Sequence, residues 1–163
     1  MIPVTYRVMT VCTGNICRSP MAEIVLRDRF GSAGLDVVVD STGVSDEEHG
    51  NPIDRRARTA LAARGYPTGD GHIARQATGI AVDSRDLVLA MTNQHARRLR
   101  ALRPGADVRL YRSFDPAAAG LATHLLDIAD PWYGGPDDFE ECLDQIEAAA
   151  DGVVAHVRTG LGG

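Results

Sequence analysis

Lysine is absent from this chain of 163 residues: all 17 basic side chains are arginine, against 22 acidic ones, for a net charge of −5. That balance excludes the broad basic surface needed for general nucleic-acid or anionic-membrane binding. Any anion site must therefore be assembled locally. Long apolar runs are missing too. No stretch approaches the ~20 residues of a membrane span, and no basic region followed by an apolar signal core opens the sequence. A cytoplasmic location, with no membrane or nucleic-acid partner, is the expectation. Cysteine is scarce: Cys12, Cys17 and Cys142 form no even-numbered disulfide framework, and the five scattered histidines add no zinc spacing. Reduced thiols, no metal and no cofactor are expected.

What is present fits one globular domain, residues 1–163, with 44% hydrophobic and 24% charged residues. Four short apolar runs read as strands: Tyr6–Val11, Asp36–Ser41, Asp86–Met91 and Val108–Tyr111. Helical patterns fall near Arg18–Phe30, Arg55–Arg64 and Gln94–Arg103, and a final one runs from about Pro136 to Arg158. This alternation predicts an α/β fold in which a parallel sheet is flanked by helices on both faces. Ligands of such sheets bind at the carboxyl ends of strands. The longest irregular stretches, Gly43–Ile53 and Ala117–Asp138, are where function is also expected.

One stretch organises the rest. Cys12 and Arg18 bracket a tight turn between the first strand and the first helix. A helix N-terminus offers unpaired N–H groups and a partial positive charge, so an oxyanion fits there. Gly14 permits the backbone twist that turns successive N–H groups inward, and Arg18 adds a bidentate fork. Cys12 lies beneath this cradle, in a field that favours thiolate. A thiolate aimed at a held phosphorus is a phosphoryl-transfer nucleophile. Ser19 has two readings: a donor to the Cys12 sulfur, or an N-cap. Asn15 suits a left-handed turn position.

The segment Cys12-Thr13-Gly14-Asn15-Ile16-Cys17-Arg18-Ser19-Pro20 resembles the loop of the low-molecular-weight protein tyrosine phosphatases, and Asp130-Pro131-Trp132-Tyr133-Gly134 looks like that family's acid loop. The resemblance covers nearly the whole chain. It implies a single-domain, four-stranded flavodoxin-like sheet and phosphotyrosine proteins as substrates, with inorganic phosphate or other oxyanions in the loop. Catalysis then falls to Cys12, Arg18 and Asp130, the last as general acid and base. The loop residues Thr13, Gly14, Asn15, Ile16 and Cys17 bind substrate together with Ser19. The resemblance further implies a bracing network from Asn15 to Ser19, Ser41 and His72, aromatic walls at Trp132 and Tyr133, and pairing of Cys17 with Cys12 under oxidation. Read without it, Trp132 and Tyr133 either line a slot for a flat ring or fill the core, His72 is a surface or capped histidine, and Cys17 is a small apolar filler. Tyr133 is also a candidate acceptor for a tyrosine kinase.

The chain departs from the family at Glu47 and Glu48, where many members carry an aromatic, and at Thr13, where bulkier apolar residues are frequent. Acidic walls repel acidic peptides and favour basic or neutral flanks. Thr92 and His95 also differ, with no mechanism attached. Three rivals stand beside the phosphatase reading. An arsenate reductase needs a cysteine relay, and no cysteine lies between Cys17 and Cys142. A phosphate-binding adaptor needs neither thiolate nor acid. A protein arginine phosphatase is compatible with Thr13.

Overall fold

The structure, a computed structural model, describes residues 5–162; residues 1–4 and 163, which the sequence reading includes in the domain, lie outside the described residues. The elements in chain order are β1 (Tyr6–Cys12), α1 (Arg18–Ser32), β2 (Val37–Gly43), α2 (Arg55–Ala63), α3 (Gly79–Asp83), β3 (Leu87–Ala90), α4 (Asn93–Leu102), β4 (Val108–Leu110) and α5 (Pro136–Gly160). Short 3-10 turns occupy much of the stretch between β4 and α5.

The four strands are all parallel, in the order β2-β1-β3-β4. Successive residues of β1 and β3 feed different cores. Val8, Leu87 and Leu89 join α1, α2 and α5 on one face, while Met9, Val11, Val88 and Ala90 join α3 and α4 on the other. Burial on both faces is why these strands read as continuous apolar runs. The order places β1 between β2 and β3, so the chain leaves β1 at a switch point, where the carboxyl ends of neighbouring strands open a crevice. Among the described residues no helix is long and apolar enough to cross a membrane.

The sequence pattern locates every strand and four of the five α-helices, with ends shifted by a few residues. The helix it misses, α3, is five residues long and buries only Val82, too little for a periodic signal. Its marker is a cap: the Thr78 hydroxyl accepts from the Ala81 N–H. The fourth strand stops at Leu110 rather than Tyr111, because Tyr111 begins a 3-10 turn and donates its hydroxyl to the Ile146 carbonyl beneath α5. Conversely, β2 runs on to Gly43, paired with Cys12. A Cβ on Gly43 would lie 2.5 Å from the Thr13 carbonyl oxygen, so glycine there lets β2 approach the loop after β1.

Candidate active site

The loop from Cys12 to Arg18 joins β1 to α1. Cys12 ends the strand and is 3% exposed. Asn15 takes a φ of 63°, a left-handed conformation that asparagine tolerates better than most residues. Cys17 is the N-cap of α1 and gives it no side-chain cap. Among the described residues, none accepts a hydrogen bond from the N–H groups of Gly14 to Ser19. Six consecutive unpaired donors at the start of a helix are the arrangement that an oxyanion would need there.

The loop is braced by buried polar side chains. Asn15 Nδ2 donates to Ser19 Oγ and to Ser41 Oγ, both at 2.9 Å, and its Oδ1 accepts from the Arg75 N–H at 3.1 Å. His72 reaches the same residue by another route, donating from Nε2 to the Asn15 carbonyl at 2.8 Å. Ser41 passes its own hydrogen to Glu23 Oε1 at 2.7 Å. The structure thus brings Asn15, Ser19, Ser41 and His72 together, and sets aside the surface reading of His72. Ser19 is not an N-cap. It sits inside α1, with its Oγ 3.0 Å from the Cys12 sulfur and 3.2 Å from the Thr42 carbonyl. Glu23 and Arg75 were invisible to sequence reasoning, because nothing local marks a buried helical glutamate or a backbone N–H as part of a distant loop. Thr10 was missed likewise; its hydroxyl donates to the Ser19 carbonyl at 2.7 Å.

Arg18 is 4% exposed. Nη1 donates to the Ile128 carbonyl at 2.9 Å, and Nη2 to Thr13 Oγ1 at 3.2 Å. Nη2 also lies 3.5 Å from Asp130 Oδ2, while Nε is buried with no partner among the described residues. The other Asp130 oxygen accepts from the Trp132 N–H at 3.1 Å and caps a 3-10 turn over Pro131–Tyr133. A proline fixes that turn's first φ, so the carboxylate is displayed from a shaped loop.

Cys12, Thr13, Gly14, Ile16, Cys17 and Arg18 line one cavity of about 160 Å³ together with Asp130, Trp132, Tyr133, Glu47 and Glu48. Trp132 is 47% exposed and Tyr133 82%, their rings edge-to-face at 5.0 Å, which sets aside the core-filling reading of Trp132. In the same lining, Glu48 accepts from Asn51 Nδ2 at 2.7 Å. All three cysteines are free. Burial pushes the Cys17 thiol far above the usual range, with Asp54 adding to it, and pushes Cys142 up to about 12. Among the described residues no cluster of three or more His, Cys, Asp or Glu is placed to hold a metal ion.

His95 is buried near the start of α4, and its imidazole pKa is lowered to about 4, first by burial and then by the Arg18 charge. As the pH falls below the ordinary value near 6.5, the unfolded chain takes up a proton that the folded ring refuses. Stability is complete above that value and is lost on the way down towards 4. Urea unfolding should show wild type losing roughly 2 kcal/mol more than His95→Gln between pH 7 and pH 5. Equal losses would contradict a neutral buried ring.

The family model described as low molecular weight phosphotyrosine protein phosphatase matches residues 7–160. A low molecular weight protein-tyrosine-phosphatase of Streptomyces coelicolor is 50% identical over 160 residues, 94% of each chain. A low molecular weight protein-tyrosine phosphatase A of Mycobacterium bovis is 45% identical over 146 residues, covering 88% of this chain and 86% of that one. Among solved structures, a protein tyrosine phosphatase from Entamoeba histolytica with Hepes in its active site superimposes with a TM-score of 0.86 at 27% identity, over 96% of this chain and 99% of the other.

Proposed function

Because the chain belongs to the low molecular weight phosphotyrosine protein phosphatase family, we propose that it hydrolyses phosphotyrosine in proteins through a phosphocysteine formed at Cys12. It is a hydrolase of phosphoric monoesters. The observation that carries the mechanism is that Cys12, Arg18 and Asp130 line one cavity with loop N–H groups and an Arg18 Nε that have no partner among the described residues.

The Cys12 thiolate attacks phosphorus as the bond to the phenolic oxygen breaks, and Asp130 gives that oxygen its proton. The three non-bridging oxygens rest on the loop N–H groups and the Arg18 fork, held more tightly as charge redistributes in the transition state. Asp130, now ionised, takes a proton from water, whose oxygen attacks the phosphocysteine. Inorganic phosphate leaves and the thiolate is restored. The Ser19 hydroxyl has one hydrogen and two acceptors in reach, and it turns to the sulfur whenever that sulfur is anionic.

Trp132 and Tyr133 supply apolar faces for a flat ring, which fits an aryl phosphate. Glu47 and Glu48 favour substrates with basic or neutral flanks. Free phosphate and similar oxyanions occupy the same cradle. When a peroxide converts Cys12 to a sulfenic acid, Cys17 forms a disulfide with it and the sulfenic oxygen leaves as water. A thiolate nucleophile and three free cysteines suit the cytoplasm. Tyr133, exposed at the mouth, is open to a tyrosine kinase.

A turnover panel tests the substrate class. Phosphotyrosine peptides should be hydrolysed, those with basic flanks fastest, with phosphoserine, phosphoarginine and arsenate left largely untouched. Faster turnover of phosphoarginine than of phosphotyrosine would contradict the reading.

A further inference from the structure

Thr13 and His95 form a pair that the mechanism above does not use. Thr13 Oγ1 lies 2.8 Å from His95 Nε2 and accepts from Arg18 Nη2 at 3.2 Å. Thr13 and Arg18 line the cleft, whereas His95, 2% exposed, sits behind them on α4. The other ring nitrogen, Nδ1, is buried with no partner among the described residues.

These contacts assign the hydrogens. Burial first, and then the Arg18 charge, keep the ring neutral, so it carries one N–H. On Nδ1 that hydrogen would be an orphaned buried donor, which proteins avoid more strongly than an orphaned acceptor. It therefore lies on Nε2, and His95 donates to Thr13 Oγ1. The threonine oxygen then accepts twice, from Arg18 and from His95, so its own hydrogen points away from both. Thr13 lines the cleft, where a bound oxyanion would accept that hydrogen.

We propose that His95 is a positioning residue acting through Thr13, fixing the threonine hydroxyl as an additional donor to the bound phosphoryl group while holding the Arg18 fork in place. The proposal rests on the loop being the oxyanion site. It gives a physical reason for a small hydroxyl residue directly after the nucleophile. A branched apolar side chain there would leave both the Arg18 Nη2 hydrogen and the His95 Nε2 hydrogen without this acceptor.

The test uses orthovanadate and inorganic phosphate as competitive inhibitors, with kcat and KM read separately. Thr13→Val and His95→Leu should each raise both inhibition constants about tenfold, the scale of one lost hydrogen bond to a charged group. The double variant should be no worse than either single one, because both remove the same contact. Thr13→Ser and His95→Gln, which keep a hydroxyl and an N–H donor, should stay within about threefold of wild type. Losses that multiply in the double variant, or single variants that bind vanadate normally, would overturn the proposal. Where His95→Leu fails to fold, nitrogen-15 chemical shifts of the wild-type imidazole with vanadate bound decide the matter. A hydrogen on Nε2 supports the proposal, and one on Nδ1 overturns it. Wild-type protein that binds neither anion would overturn the oxyanion site itself, and this proposal with it.

Discussion

Cys12→Ser is expected to lower kcat by at least about 10⁴-fold while inorganic phosphate still binds. A hydroxyl in place of the thiol stays protonated, because among the described residues no basic side chain is hydrogen-bonded to position 12. Asp130 lines the same cavity beside Arg18, and the Ser19 hydroxyl 3.0 Å away is a donor to an anion rather than a proton acceptor. The rest of the cradle is untouched, because Arg18, the loop N–H groups and the Asn15 braces do not depend on the sulfur. Binding and turnover therefore separate. Isothermal titration with phosphate beside steady-state kinetics checks both halves, and residual turnover within tenfold of wild type would contradict the nucleophile assignment.

Asp130→Ala carries the second large effect, and its size depends on the substrate. With phenyl or alkyl phosphates, whose leaving groups need a proton, kcat/KM should fall by about 10²–10⁴-fold. With nitrophenyl phosphate the first step needs little acid help and the loss in kcat/KM should be smaller, while kcat falls with every substrate because hydrolysis of the phosphocysteine loses its base. The carboxylate also holds the Trp132 N–H and stands 3.5 Å from Arg18 Nη2, so alanine alters the loop as well as the acid. Asp130→Asn is the control. It keeps an oxygen to accept from Trp132, lacks a transferable proton, and should show the same dependence on the leaving group. Equal losses in kcat/KM on good and poor leaving groups would remove Asp130 from the role of acid.

Much of this was legible in the residues. The strand–Cys12–Arg18–helix succession is a local pattern, and local patterns survive folding: β1, the loop and α1 lie where periodicity puts them, although the left-handed twist expected of Gly14 falls on Asn15 instead. Asp130 was legible only through resemblance, since an Asp-Pro turn does not reveal that it lies 3.5 Å from an arginine far back in the chain. The second reading of Ser19 failed because capping belongs to a residue just outside the helix, and Ser19 lies one residue inside it. His95 stood out only as a departure from the family, without a role, for its partner Thr13 belongs to another strand–loop unit and only the pairing of β1 with β3 brings them together. Contacts between distant elements are set by packing, which hydrophobic period does not encode.

The central claim is that phosphorus passes through the Cys12 sulfur. Asp130→Ala mixed with nitrophenyl phosphate, quenched within milliseconds and mapped by mass spectrometry, tests it most directly, because the first step stays fast while hydrolysis of the intermediate loses its base. The account predicts a burst of nitrophenol matched by one phosphoryl group on the peptide holding Cys12. A linear release with no phosphoryl group on the protein, or one attached elsewhere, would contradict it.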